Sequence, residues 1–168
     1  MRDEWKEKLR KVKLIITIII IAGVIIHLFL VYEAAKSLEI TGKKITGLYP
    51  TYRKIDEYEV KFALTFKNPK STPIEVEYLH YKVYIEDEFV GEGSKPQFRI
   101  EKGVSNHTFS LTFSALNLTA STKNLLLYGS VNVTVKGETL VPAKFLGIFT
   151  WKYIKIPYTI HDRISISL

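Results

Sequence analysis

Eighteen consecutive residues, Leu14 to Val31 (LIITIIIIAGVIIHLFLV), include no side chain that is charged at neutral pH unless His27 takes a proton. Coiled as a helix, such a run is about 27 Å long, close to the thickness of a bilayer's hydrocarbon core. Val12 and Tyr32 extend it, Tyr32 stands where an interfacial aromatic belongs, and Trp5, Leu9 and Val12 recur at helical spacing on the basic side. The sequence therefore predicts a basic tail over 1–13 and one transmembrane helix over 14–32. A cleaved secretory signal would need a shorter apolar core and small residues before the cut, which Glu33, Ala34 and Ala35 supply poorly. A proton relay at His27 would need a second ionisable group in the span, so His27 reads as a neutral imidazole.

Six basic residues, Arg2, Lys6, Lys8, Arg10, Lys11 and Lys13, precede the helix, and only Lys36, Lys43 and Lys44 follow it closely. That asymmetry predicts a cytoplasmic N-terminus and an extracellular C-terminal domain, a single-pass arrangement in the cell membrane. Three sequons, at Asn106, Asn117 and Asn132, fit exposure to a glycosylation machinery, whereas Pro69 disqualifies Asn68.

Beyond Tyr32 the helical period gives way to alternation. Tyr58, Val60, Phe62, Leu64 and Phe66 share one phase, and so do Leu79, Tyr81, Val83 and Ile85; Phe109, Leu111, Phe113 and Ala115; and Val131, Val133 and Val135. Each set predicts a strand with one buried face. Weaker strands are expected over 38–48, 89–93, 97–100, 140–146 and 149–158, with turns at Asp87, Gly103, Gly137 and Gly147, and a short helical turn near Leu125, Leu126 and Leu127. Short strands without intervening amphipathic helices predict a mainly β fold, an immunoglobulin- or fibronectin type III-like antiparallel sandwich behind the N-terminal helix. The expected division is a stalk and first strand over 33–48 and the sandwich over 49–168.

Composition removes several kinds of chemistry. Without cysteine there is no disulfide, thiolate metal site or cysteine nucleophile. The net charge of +7 falls to +4 once the N-terminal tail is set aside, and the remaining bases are scattered among acids, which argues against nucleic acid as a partner. His27, His80, His107 and His161 lie far apart, and no second ligand type sits at metal spacing. Gly91-Glu92-Gly93 lacks the third glycine and following helix of a phosphate loop and reads as a tight strand connection. Glu86, Asp87 and Glu88 read as a solvated turn rather than a calcium site. No nucleophile-elbow serine occurs. No catalytic residue, metal or cofactor is expected. Twenty Ile beside one Gln, one Met and no Cys suggest a heat-adapted, archaeal source.

The segment from Asn68 to Gly93 (NPKSTPIEVEYLHYKVYIEDEFVGEG) resembles the late-embryogenesis-abundant group 2 family, whose domain is also called the water-stress and hypersensitive-response domain. Asn68 and Pro69, Pro73 and Ile74, Tyr81, Val83 and Tyr84, then Val90, Gly91 and Gly93 match that family's pattern. Lys70 stands where Asn is usual, and the Glu-Asp-Glu turn replaces an Asn- or Gly-bearing one. Read as residues, the motif is structural: Pro69 holds Asn68 extended, the Asn68 side chain can accept a backbone hydrogen bond and fix the turn, and the glycines permit close approach or a bulge. The resemblance implies a sandwich linked to desiccation, heat or osmotic stress and to membranes, with no enzymatic chemistry.

The expected function is a non-enzymatic, membrane-anchored, extracytoplasmic module for stress protection or for binding lipid or other surface proteins. The alternative is a structural subunit of a cell-surface assembly or filament that self-associates through the C-terminal strand 160–168, in which Ile164, Ile166 and Leu168 alternate with serines. An intramolecular edge strand is the plainer reading of that tail. An ectoenzyme would need His and carboxylate groups that converge only in three dimensions.

Overall fold

The computed structural model describes residues 2–51, 54 and 56–165, with side chains from residue 5 onward. A single helix, α1 (Arg2–Lys36), leads into seven strands, β1 (Glu39–Pro50), β2 (Glu57–Asn68), β3 (Ile74–Ile85), β4 (Glu88–Ile100), β5 (Gly103–Ser114), β6 (Ser130–Phe145) and β7 (Phe149–Ser165). A 3-10 turn (Ala115–Asn117) and a short helix, α2 (Ala120–Tyr128), lie between β5 and β6, where the alternation lapses. α1 is long and apolar enough to cross a membrane, and its most hydrophobic stretch is not covered by the rest of the protein. Residues 33–48 divide into the last turn of α1, a two-residue link and most of β1.

The strands form two antiparallel sheets, β1-β2-β5 and β4-β3-β6-β7. Chain connections pass from one sheet to the other after β2, β4 and β5, so the layers cannot be assembled from local hairpins alone. Each predicted alternating set faces the space between the layers. Tyr58, Val60, Phe62, Leu64 and Phe66 of β2 are all buried, as are Leu79, Tyr81, Val83 and Ile85 of β3 and Val131, Val133 and Val135 of β6. Phe62 stacks on Phe109 of its own sheet (5.3 Å between centroids, 23°) and meets Tyr81 of the facing sheet edge-on at 4.9 Å. Such offset and edge-to-face pairs add to the burial of the rings.

Two turn expectations need correcting. Gly137 lies inside an unbroken β6, paired with both Tyr81 and Tyr158. A Cβ at Gly137 would collide with the His80 carbonyl oxygen and the Tyr158 ring, so this glycine provides clearance within the sheet and does not turn the chain. Gly91-Glu92-Gly93 is likewise inside β4, and the segments expected separately at 89–93 and 97–100 are one strand. Val83 pairs with Gly91 and Tyr84 with Phe89, so Val90 is the extra residue of a bulge. Gly93 leaves room for the Tyr81 ring, whose hydroxyl crosses the core to donate to the Ser110 carbonyl at 2.7 Å.

The acidic turn is not simply solvated. Glu86 accepts from the Asn132 backbone N–H (2.7 Å) and Nδ2 (3.1 Å), which ties the turn to the start of β6. Glu88 accepts from the Thr119 backbone N–H (2.9 Å), the Thr119 hydroxyl (2.6 Å) and the Thr122 hydroxyl, at the N-terminus of α2. Those bonds hold the Glu88 carboxyl below the usual carboxylate range. Only Asp87 points freely to water.

Candidate membrane-proximal site

β3 and β6 pair from Ile85↔Val133 to Tyr78↔Leu140 and then part. The end of α1 lies at this fork. Val31, Ala34 and Ala35 of the helix, Thr72 to Glu75 at the start of β3, and Pro142, Lys144 and Gly147 line a cleft of about 240 Å³. Glu75 and Lys144 bridge it with an ion pair of 2.8 Å. Ala35 and Leu38 are buried with the sandwich core, so the helix is built into the domain. Ser37 ends it by donating its backbone N–H to the Glu33 carbonyl (3.1 Å) and its hydroxyl to the Ala34 carbonyl (2.6 Å).

Beyond the fork, β6 and β7 continue as a two-stranded ribbon beside α1. Pro142 is tolerated there because β6 no longer pairs with β3 and the missing N–H breaks no ladder on that side. Ring contacts fix the ribbon against the helix: His27 meets Phe145 edge-on at 5.3 Å, Tyr32 lies 6.1 Å from Trp151, and the Lys152 ammonium stands 4.8 Å over the Tyr32 ring. His27 Nε2 accepts the Leu146 backbone N–H at 3.1 Å. His27, expected as a solitary imidazole in the span, thus has a partner.

The motif residues serve structure. Asn68, 1% exposed, donates through Nδ2 to the carbonyls of Thr72 (3.0 Å) and Ile100 (3.1 Å) and accepts the Lys70 N–H at Oδ1 (2.9 Å). This closes the Asn68–Pro73 connection at the end where the helix enters, next to Ile74, which is buried. Tyr81 and Val83 are in the core, while Tyr84 lies half-buried outside it, with Phe89 at 5.7 Å and the Lys136 ammonium at 5.2 Å. Val90 is the bulged residue of β4, Gly91 flanks it opposite Val83, and Gly93 pairs in register with Tyr81. The motif is therefore divided: Asn68, Pro69, Pro73 and Ile74 lie at the helix end of the sandwich, and the bulge toward the opposite end.

Comparison with family models and with curated proteins returns no match. Solved structures do match. A protein from Archaeoglobus fulgidus has a TM-score of 0.51 at 12% identity over 77% of this chain and 99% of its own. A protein from Arabidopsis thaliana has a TM-score of 0.56 at 11% identity over 78% and 85%. The sandwich is a shared fold. A candidate late embryogenesis abundant protein also matches, at 14% identity over 76% and 68%, but its TM-score of 0.43 is too low to argue from. At these identities the likeness extends to the fold and no further.

The remaining candidates are dispersed. His80 stands 3.6 Å from Glu92, His107 3.4 Å from Ser105, and His161 2.8 Å from the Thr134 hydroxyl. Among the described residues, no three His, Asp or Glu side chains converge as a metal site would require. Of the sequon residues, Asn106 and Asn117 are exposed, Asn106 accepting from the Thr65 hydroxyl at Oδ1 (2.6 Å), and the Asn132 amide is engaged by Glu86. Residues 160–165 of the C-terminal strand pair with 130–135 of β6 within the same chain, and 166–168 lie outside the described residues. Sequence reasoning placed the strands and the Gly147 turn of the ribbon but missed its apolar tip beside α1 and the buried end of the helix. The signal for the first was Phe145-Leu-Gly-Ile-Phe149, a turn with no polar residue.

Proposed function

We propose that this chain is a non-enzymatic, membrane-anchored module of the group 2 late-embryogenesis type, its sandwich on the extracytoplasmic face, protecting the bilayer surface under desiccation, heat or osmotic stress. The observation that carries this reading is the join at Ala35 and Leu38: a helix of membrane-spanning length ends inside the core of a sandwich, so the domain is held directly against whatever the helix is embedded in. The Asn68–Pro73 motif of the resemblance falls at this same end. The excess of basic residues before Leu14 supports a cytoplasmic N-terminus. The reading makes lipid the partner, nucleic acid no partner, and turnover absent, and the depletion of thermolabile side chains supports a heat-adapted source.

The test uses the full chain in vesicles loaded with a self-quenching dye. Drying and rehydration, or heating, should release less dye than from protein-free vesicles; equal release refutes protection. Protease added to intact cells should remove the sandwich and spare the N-terminal tail, and the reverse pattern refutes the orientation.

A further inference from the structure

Two hairpins of this protein turn through two consecutive left-handed residues, with opposite chemistry. At the β3–β4 turn, Glu86 (φ 47°) and Asp87 (φ 65°) occupy the two left-handed positions. At the β6–β7 turn, those positions are held by Leu146 (φ 51°) and Gly147 (φ 71°), with the Ile148 N–H donating to the Phe145 carbonyl at 3.0 Å. Left-handed backbone at both central positions normally selects Asn, Asp or Gly, and a branched aliphatic side chain there is strained. The apolar turn is also bare: Leu146 is 62% exposed, Ile148 81% and Phe149 55%. In water this tip would leave a cluster of large apolar side chains unburied at the end of a projecting ribbon.

Its position beside α1 supplies the missing solvent. The bond from Leu146 N–H to His27 sets the tip level with a residue four places before the end of the apolar run, about 6 Å inside it at the helical rise. Higher up the ribbon, Trp151 and Lys152 lie at Tyr32, the residue read as interfacial, and Tyr153 is exposed nearby. Going up the ribbon, aliphatic and Phe side chains give way to Trp, Tyr and Lys, the succession found from hydrocarbon to headgroups. The His27 bond removes an otherwise free backbone N–H, a group that is costly to leave unpaired in hydrocarbon.

We propose that the tip of the β6–β7 hairpin, Phe145 to Phe149, is inserted into the bilayer crossed by α1, at the boundary of acyl chains and headgroups, as a second anchor. The proposal rests on the reading of α1 as a membrane span, and the experiment separates the two.

The chain has no cysteine, so single spin labels can be placed without background. Full-length Ile20→Cys, Ile148→Cys and Tyr128→Cys variants, reconstituted in phosphatidylcholine–phosphatidylglycerol vesicles, are compared for collision with oxygen, which concentrates in hydrocarbon, and with a water-soluble nickel chelate. The expected result is loss of nickel collisions at 20 and at 148 but not at 128. Loss at 20 with full nickel access at 148 overturns the inserted tip and leaves the anchor standing. Nickel access at 20 overturns the anchor and the tip together. Protection at 128 as well overturns the inserted tip, because the whole sandwich would then be immersed.

Discussion

Replacing Asn68 separates two duties of that side chain. Its oxygen makes the local turn with the Lys70 N–H, which aspartate could equally do, whereas its amide N–H groups hold the carbonyls of Thr72 and Ile100, which aspartate cannot. Asn68→Ala forfeits all three bonds at a buried position; at roughly 1 kcal/mol for each, the loss is about 3 kcal/mol. For a domain of this size that lowers the melting temperature by roughly 12 °C. Asn68→Asp keeps the shape and the Lys70 bond but sets a carboxylate oxygen against two carbonyl oxygens, so at neutral pH it should destabilise at least as much as alanine. Acidification should recover part of that loss in the Asp variant alone, because a protonated carboxyl can donate to one of the two carbonyls. The assay is thermal melting of the full chain in detergent, followed through the sheet signal in circular dichroism. An Asp variant that melts with the wild type would show that only the local turn matters and that the bonds to Thr72 and Ile100 carry nothing.

Phe62→Ala should destabilise the sandwich by about 3–5 kcal/mol, since the ring is fully buried between Phe109 and Tyr81; an unchanged melt would mean that it does not pack there. Gly137→Ala should cost about 1–3 kcal/mol by forcing β3 and the Tyr158 ring away, and wild-type stability would place the glycine in an open turn after all. Burial first, and the Lys95 charge second, hold the His107 imidazole below its ordinary value. The unfolded chain therefore takes up this proton first, so the contribution is complete above about pH 6.5 and declines as pH falls below it. His107→Gln should flatten that part of the stability profile, and an identical acid limb in both proteins would refute it.

The strands were legible wherever one face is buried and the other wet, because alternation then records the environment of each residue directly; β2 is the plainest case. The signal fails where a second element changes that environment. Gly137 looks like punctuation until Tyr158 is seen lying across it. Glu86 and Glu88 look like surface charge because their partners, Asn132 and the Thr119–Thr122 cap, are more than thirty positions away in the chain. Ala34 and Ala35 carry too little apolar surface to declare that a helix ends inside a core, and 33–48 therefore reads as a stalk and first strand. The placement of the β6–β7 ribbon beside α1 was illegible for the same reason, since it depends on where β3 and β6 separate, which no local pattern encodes.

Only Ser37 and Leu38 separate α1 from β1, and Leu38 is itself buried. A tether with no slack converts the domain from a float on a line into a post. β6 alone, sixteen residues at about 3.3 Å each, puts roughly 50 Å between the hairpin tip and the end bearing α2 and the β3–β4 turn. Standing in a bilayer, every copy would carry its α2 end at one height, and neighbours would meet side to side, with rotation about the membrane normal as their main remaining freedom. Across a gap between two membranes, opposed posts would touch end to end through α2. A densely populated surface would then resist closer approach of a second bilayer by steric means alone, whatever the lipid.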